Sequence, residues 1–204
     1  MPVHRPRLKI VRRLGVQLPG LTRKDAERRP TPPGQHGATP SRRRKSAFRR
    51  RLEEKQKVRF HYGVTESQLR RAFAAATKDP GKTGDNMLAR LERRLSNVVF
   101  RLGFAPTIPA ARQLVAHGHV RVNDERVDRP SYLVTSGDMI SLGTHARTIP
   151  MVMESVAHGP QVTLPSYLVL DPSDANVGRV LGGPQRADIP FIVDESAIIE
   201  FYAR

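Results

Sequence analysis

Residues 86–127 read NMLARLERRLSNVVFRLGFAPTIPAARQLVAHGHVRVNDERV, and changes of pattern inside this stretch decide the fold class. Over 86–102, Leu88, Leu91, Leu95, Val98, Val99 and Leu102 recur at helical spacing, which predicts a long helix with one apolar side. After Gly103, Thr107 caps a short helix carrying Ala111, Leu114 and Val115, and Gly118 stands where a left-handed terminator is wanted. Then Val120-Arg121-Val122, Asn123-Asp124 and Arg126-Val127 read as a hairpin on a two-residue turn, although Asp is a poorer second turn residue than Gly.

The polar side of the long helix carries chemistry. Arg90, Arg93, Arg94, Asn97 and Arg101 fall at i, i+3, i+4, i+7 and i+11, a basic ridge opposite the leucines. Glu92 is the only acid between Asp85 and Asp124 and lies off that line, whereas an ordinary solvated face mixes acids among its bases. Arg112, Gln113 and Arg121 extend the ridge if the two helices pack side by side. Such a surface offers guanidinium groups to a phosphate backbone by shape, as structured RNA is usually recognised.

The charge distribution points the same way. Residues 1–59 hold 19 Lys/Arg against 4 Asp/Glu, a net of +15, while the whole chain is +16. Confinement to one end describes an arm lying along a polyanion, with binding that releases counterions and weakens in salt. No membrane partner is expected: residues 1–45 contain no Phe or Trp, and no stretch approaches the roughly 20 apolar residues of a span. The absence of cysteine excludes thiol catalysis, disulfides and cysteine-bound zinc.

Outward from the central stretch, residues 1–45 read as an irregular, Pro/Gly-punctuated arm that includes a bend at Pro32-Pro33-Gly34-Gln35-His36-Gly37 and ends in Arg42, Arg43, Arg44, Lys45. A helix starts near Ser46, with Phe48 and Leu52 on one face and Gly63 as its stop; Thr65 and Gln68 form a capping box for the next, which Pro80-Gly81 ends. Tyr132-Leu133-Val134 and Met139-Ile140-Ser141-Leu142 supply two more strands around the turn at Gly137. Residues 143–187 give only strand-like pieces, at 162–164 and 167–170. Asp194 caps a last helix carrying Ile198, Phe201 and Tyr202.

His117 and His119 have a spacing a metal could use, but with no cysteine and no nearby carboxylate pair they are read as RNA hydrogen-bonding groups or as groups with a helix-terminus role, and no metal or other cofactor is expected. Asp188, Asp194, Glu195 and Glu200 have no His, Ser or Lys constellation beside them, and no phosphate-loop or dinucleotide glycine pattern appears, so the chain is not expected to be an enzyme.

Several of these motifs resemble a known module. Residues 94–105 (RLSNVVFRLGFA), 111–119 (ARQLVAHGH), Val122-Asn123 and Pro130-Ser131-Tyr132 are similar to the RNA-binding module named after small-subunit ribosomal protein four, which also occurs in pseudouridine synthases, some tyrosyl-tRNA synthetases and a heat-shock ribosome-binding protein. Residues 29–37 (RPTPPGQHG), 54–59 (EKQKVR), Tyr62-Gly63-Val64, Lys82-Thr83-Gly84, Ile189-Pro190, Asp194-Glu195 and 200–204 extend the resemblance to the ribosomal protein four family itself, bacterial type, over nearly the whole chain except 143–187.

The resemblance implies an α+β fold with a basic irregular arm (1–45), a small all-helical domain closed by the C-terminal helix (46–86 with about 188–204), and an inserted domain of helices on an antiparallel sheet (87–187, its RNA-binding module at about 93–155). It implies a structural constituent of the cytoplasmic small ribosomal subunit that binds the 5′ domain of 16S ribosomal RNA, nucleates assembly of the 30S body and affects translational accuracy. Implied partners are ribosomal proteins five and three and mRNA where it enters the subunit. The candidate RNA-binding residues are His36, Arg42, Arg43, Arg44, Lys45, Arg49, Arg50, Lys55, Lys57, Arg59, Arg90, Arg93, Arg94, Asn97, Arg101, Arg112, Gln113, His117, His119 and Arg121. Three departures stand out: this is a form without the zinc knuckle of some relatives, Ser96 stands where Asp is usual, and Asp124 stands where the turn usually has Gly. The competing reading is a non-ribosomal RNA-binding factor or RNA chaperone built on the same module; a catalytic domain would need a further one to two hundred residues.

Overall fold

The computed structural model describes residues 7–24, 26, 29–35, 37 and 46–203. The apolar pattern of these residues condenses into two hydrophobic cores, one helical and one built on a sheet.

The helical core gathers α1 (Arg7–Leu14), α2 (Ala47–His61), α3 (Glu66–Ala76), α4 (Thr83–Glu92) and α8 (Glu195–Tyr202) around Val58, Leu69, Leu88, Leu91 and Ile198. Local chemistry sets the boundaries. Ser46 accepts from the Arg49 amide at the start of α2, Thr65 and Gln68 close the expected capping box on α3, and Asp194 accepts from the Ala197 amide at the start of α8. Gly63 takes φ +59 just beyond α2. The C-terminal helix closes this core: Ile198 is buried in it, Glu200 bonds Arg51 at 2.6 Å and the Tyr202 hydroxyl donates to Glu66 at 2.9 Å.

The sheet core contains α5 (Leu95–Arg101), α6 (Ile108–Ala116), α7 (Pro150–His158) and five antiparallel strands: β1 (Val120–Val122), β2 (Glu125–Val127), β3 (Met139–Leu142), β4 (Leu168–Leu170) and β5 (Val177–Val180), in the order β2-β1-β3-β5-β4. Thr107 caps α6 as expected, and the hairpin forms with Asn123 and Asp124 both at positive φ (51° and 65°), a type I′ turn whose twist suits the strands it joins. The architecture is thus α+β, helices against an antiparallel sheet.

Three expectations about secondary structure are corrected. The long helix over 86–102 is two helices, because Arg94 adopts an extended conformation (ψ 131) and the segment 130–134 lies beside the break. Leu95 donates to Tyr132 O at 2.8 Å, Ser96 to Pro130 O at 3.3 Å and Val134 to Arg93 O at 2.9 Å, so backbone carbonyls satisfy the first amides of α5 in place of a capping side chain. Tyr132-Leu133-Val134 is accordingly not a sheet strand; it makes one bridge, Leu133 with Arg94. The arm is not wholly irregular: α1 buries Val11, and Leu18 and Leu21 also enter the helical core.

The arm also ties the cores together. Gly20, at φ +79, accepts from the Ile108 amide at 2.8 Å, and a Cβ there would stand 2.6 Å from the Phe100 ring of the sheet core. Within 143–187, α7 and β5 are elements that the sequence pattern did not show, while 162–164 is irregular and contributes Val162 and Leu164 to the sheet core.

Candidate nucleic-acid interface

The break between α4 and α5 rearranges the expected ridge. Arg101 and Asn97 do not line a solvent face: they are 2% and 1% exposed and turn inward onto Glu92, which is 0% exposed. The Glu92 carboxylate accepts from Arg101 Nη2 at 3.1 Å and Nε at 3.3 Å, from Asn97 Nδ2 at 2.6 Å, from the Tyr62 hydroxyl at 2.6 Å and from the Tyr167 hydroxyl at 3.1 Å. Arg101 Nη2 also reaches Asp188 O at 2.6 Å. Tyr62 belongs to the helical core and Tyr167 to the sheet core, so this buried network stitches the two. Burial opposes charge on Arg101, but the charge and hydrogen bonds of Glu92 hold its pKa above the usual value; burial and then Glu92 push both tyrosines up. Glu92, which the sequence pattern set off the ridge, is the centre of that network.

Arg94 is different. The residue is 8% exposed, its Nε is buried without a hydrogen-bond partner, and among the described residues its guanidinium makes no ion pair. Burial first, and the neighbouring Arg112 second, bring its pKa down to about 10. Arg112 in turn makes a 3.3 Å hydrogen bond to Gly63 O, at the end of α2, across the seam between the cores. Two guanidinium groups thus stand side by side with no carboxylate between them among the described residues. A buried cation with no carboxylate partner among the described residues is costly, and two forked guanidinium groups are able to donate to an anion such as a phosphate.

The remaining candidates divide. On α2, Arg49 pairs with Glu53, Lys57 with Glu54, and Lys55, itself buried, with Glu66; Arg59 bonds Gln56, whereas Arg50 is exposed to solvent. Arg90 pairs with Asp79 at 3.0 Å, and Arg93 donates to Val134 O at 2.7 Å. Gln113, His117 and Arg121 are exposed on α6, its C-terminal end and β1. His36, Arg42, Arg43, Arg44 and Lys45 lie outside the described residues. Among the described residues, no group of three or more His, Asp or Glu side chains could hold a metal ion, and no helix is long and apolar enough to cross a membrane.

Two further bases, Arg126 and His145, stand beside His117 and His119 and were not singled out from the sequence. Nothing in their spacing announces them, since the sheet brings β2 and the loop after β3 to the end of α6.

Residues 2–92 match the family described as ribosomal protein S4/S9 N-terminal domain, and residues 93–140 match the S4 domain; the junction falls at the break between α4 and α5. The chain is 50% identical over 198 residues to small ribosomal subunit protein uS4 of Methylobacillus flagellatus, covering 97% of this chain and 96% of that protein. It is 49% identical to uS4B of Nitrosomonas europaea (97% and 96% covered) and 49% identical to uS4 of Thermosynechococcus vestitus (98% and 96% covered). The chain belongs to the small ribosomal subunit protein uS4 family, a family of ribosomal structural proteins and not of enzymes.

Proposed function

We propose that the chain is a structural constituent of the small subunit of the cytoplasmic ribosome, that it binds 16S ribosomal RNA in its 5′ domain, and that Arg94 and Arg112 grip an RNA phosphate at the seam between the two cores. The observation that carries the binding reading is the buried Arg94 guanidinium beside Arg112: the Nε of Arg94 has no hydrogen-bond partner, and its guanidinium makes no ion pair among the described residues. Exposed Arg50, Gln113, His117 and Arg121 and the basic run at 42–45 add polar and cationic groups for the surrounding backbone. Asn97 and Arg101 have a different role, holding the cores in the orientation that this surface needs.

Binding that spans both cores and the arm suits a protein that orders RNA early. We therefore carry over from the family nucleation of the 30S body, a contribution to translational accuracy, and contacts with ribosomal proteins five and three and with entering mRNA. The test of the structural role is cosedimentation with small subunits at high magnesium. A near-stoichiometric amount per subunit is expected; a substoichiometric amount that dissociates during sedimentation would instead indicate an RNA-binding factor or chaperone.

A further inference from the structure

At the end of α6, His117 and His119 flank Gly118 with ring centroids 6.0 Å apart, and the ring of His119 lies 5.6 Å from that of His145 on the loop after β3. The position of this loop is pinned by the Gly143 amide, which donates to His119 O at 2.9 Å. From β2, Arg126 reaches the same place: its Nη2 donates to His117 O at 3.4 Å, and its guanidinium occupies the space that any Cβ on Gly118 would need. Gly118 also sits at φ +72, so two independent demands fall on that glycine.

All four groups in this cluster are bases drawn from three segments of chain. Among the described residues no carboxylate bonds or pairs with any of the three imidazoles, and the nearby Arg147 is taken by Asp174 at 2.9 Å. Imidazoles can also ligate metals, but the described residues offer no group of three or more that could hold one. What the cluster lacks is an anion.

We propose that His117, His119, His145 and Arg126 form a second phosphate-binding patch, which grips an RNA phosphodiester with the His119 ring protonated, so that RNA binding takes up a proton. This rests on the RNA-binding function proposed above and adds regulation by pH to it. Arg94, with a pKa brought down only to about 10, stays charged throughout the neutral range, so its site gives no such dependence.

In the free protein, partial burial, then His145, His117 and Arg126, hold the pKa of His119 below its usual value. A phosphate oxygen among the rings offsets the mutual repulsion of the bases and raises that pKa in the complex. The complex therefore binds more protons than the separated components, and affinity must rise as pH falls toward the free-state value.

The test uses the full-length protein and a transcript of 16S ribosomal RNA, with affinity measured at pH 6.0, 7.0 and 8.0 at fixed ionic strength. The wild-type affinity is expected to weaken about three- to tenfold from pH 6.0 to 8.0, since linkage allows at most about tenfold per proton and pH unit. The double variant His119→Gln, His145→Gln should bring that ratio close to one, and in the wild type the ring titration of His119 should move upward on adding RNA. An equal pH ratio in the variant and the wild type would overturn the proposal while leaving RNA binding intact. Ring titrations that respond to inorganic phosphate but not to RNA would also overturn it. Absence of RNA binding at every pH would refute the RNA-binding function and this patch together.

Discussion

The Glu92 carboxylate and the Arg101 guanidinium are joined by two hydrogen bonds, 3.1 and 3.3 Å, in the seam between the cores, with side chains 0% and 1% exposed. Nine residues along a straight helix would put them on opposite sides and roughly 13.5 Å apart along the axis. They meet because the chain turns at Arg93 and Arg94.

Removing one member of a buried pair leaves the other charge without compensation. Glu92→Ala should lower unfolding free energy by about 3–5 kcal/mol in urea denaturation. Arg101→Ala should cost a similar amount, and the two losses should be far from additive because the residues share one network.

The arm should contribute to stability. Val11, Leu18 and Leu21 are buried in the helical core, and each such side chain is worth about 1.5–3 kcal/mol. Deleting residues 1–24 should therefore lower the thermal midpoint measurably, which an arm ordered only by RNA would not do.

His61 gives a pH dependence of known sign. Burial, then Arg101, bring its pKa to about 3, and neither ring nitrogen has a hydrogen-bond partner among the described residues. Its folded-state pKa is thus below the ordinary value near 6.5, so the unfolded chain binds the proton more readily between these limits. The histidine contributes no penalty above about pH 6.5 and destabilises the fold by about 1.4 kcal/mol per unit as pH falls toward 3. Denaturation midpoints measured at pH 7, 5.5 and 4.5 should show a steeper loss for wild type than for His61→Phe.

The hairpin turn carries strain at Asp124, a non-glycine residue at φ 65. Asp124→Gly should stabilise the protein by about 0.5–1 kcal/mol, read as a rise in the denaturation midpoint.

The parts of the fold legible in the sequence are those whose signals are local. Ser46, Thr65 with Gln68, Thr107 and Asp194 mark four helix starts, and each makes its capping bond. The hairpin was legible from Asn123-Asp124 between valines. The break at Arg94 was not, because the leucine pattern continues through it and its cause, the segment 130–134, is remote in sequence. The same remoteness hid the inward turn of Asn97 and Arg101. Helix α7 has Pro150 at its first position but no capping side chain, and β5 carries Gly178 where the Leu102 side chain approaches, so the one lacks a cap signal and the other an unbroken strand pattern. Of the site, Arg94 and Arg112 were legible as bases on the module, but their lack of acidic partners is a property of the packed structure.

The most direct measurement is the affinity of the double variant Arg94→Gln, Arg112→Gln for 16S ribosomal RNA at physiological salt, with its unfolding free energy measured in parallel. Each charge-assisted bond removed should cost about 1.5–3 kcal/mol of binding, and the salt slope should become shallower by about one for each phosphate no longer neutralised. Stability should hold or rise, since a buried charge that makes no ion pair among the described residues has been removed. Wild-type affinity and an unchanged salt slope in the variant would contradict the claim that these two arginines hold an RNA phosphate.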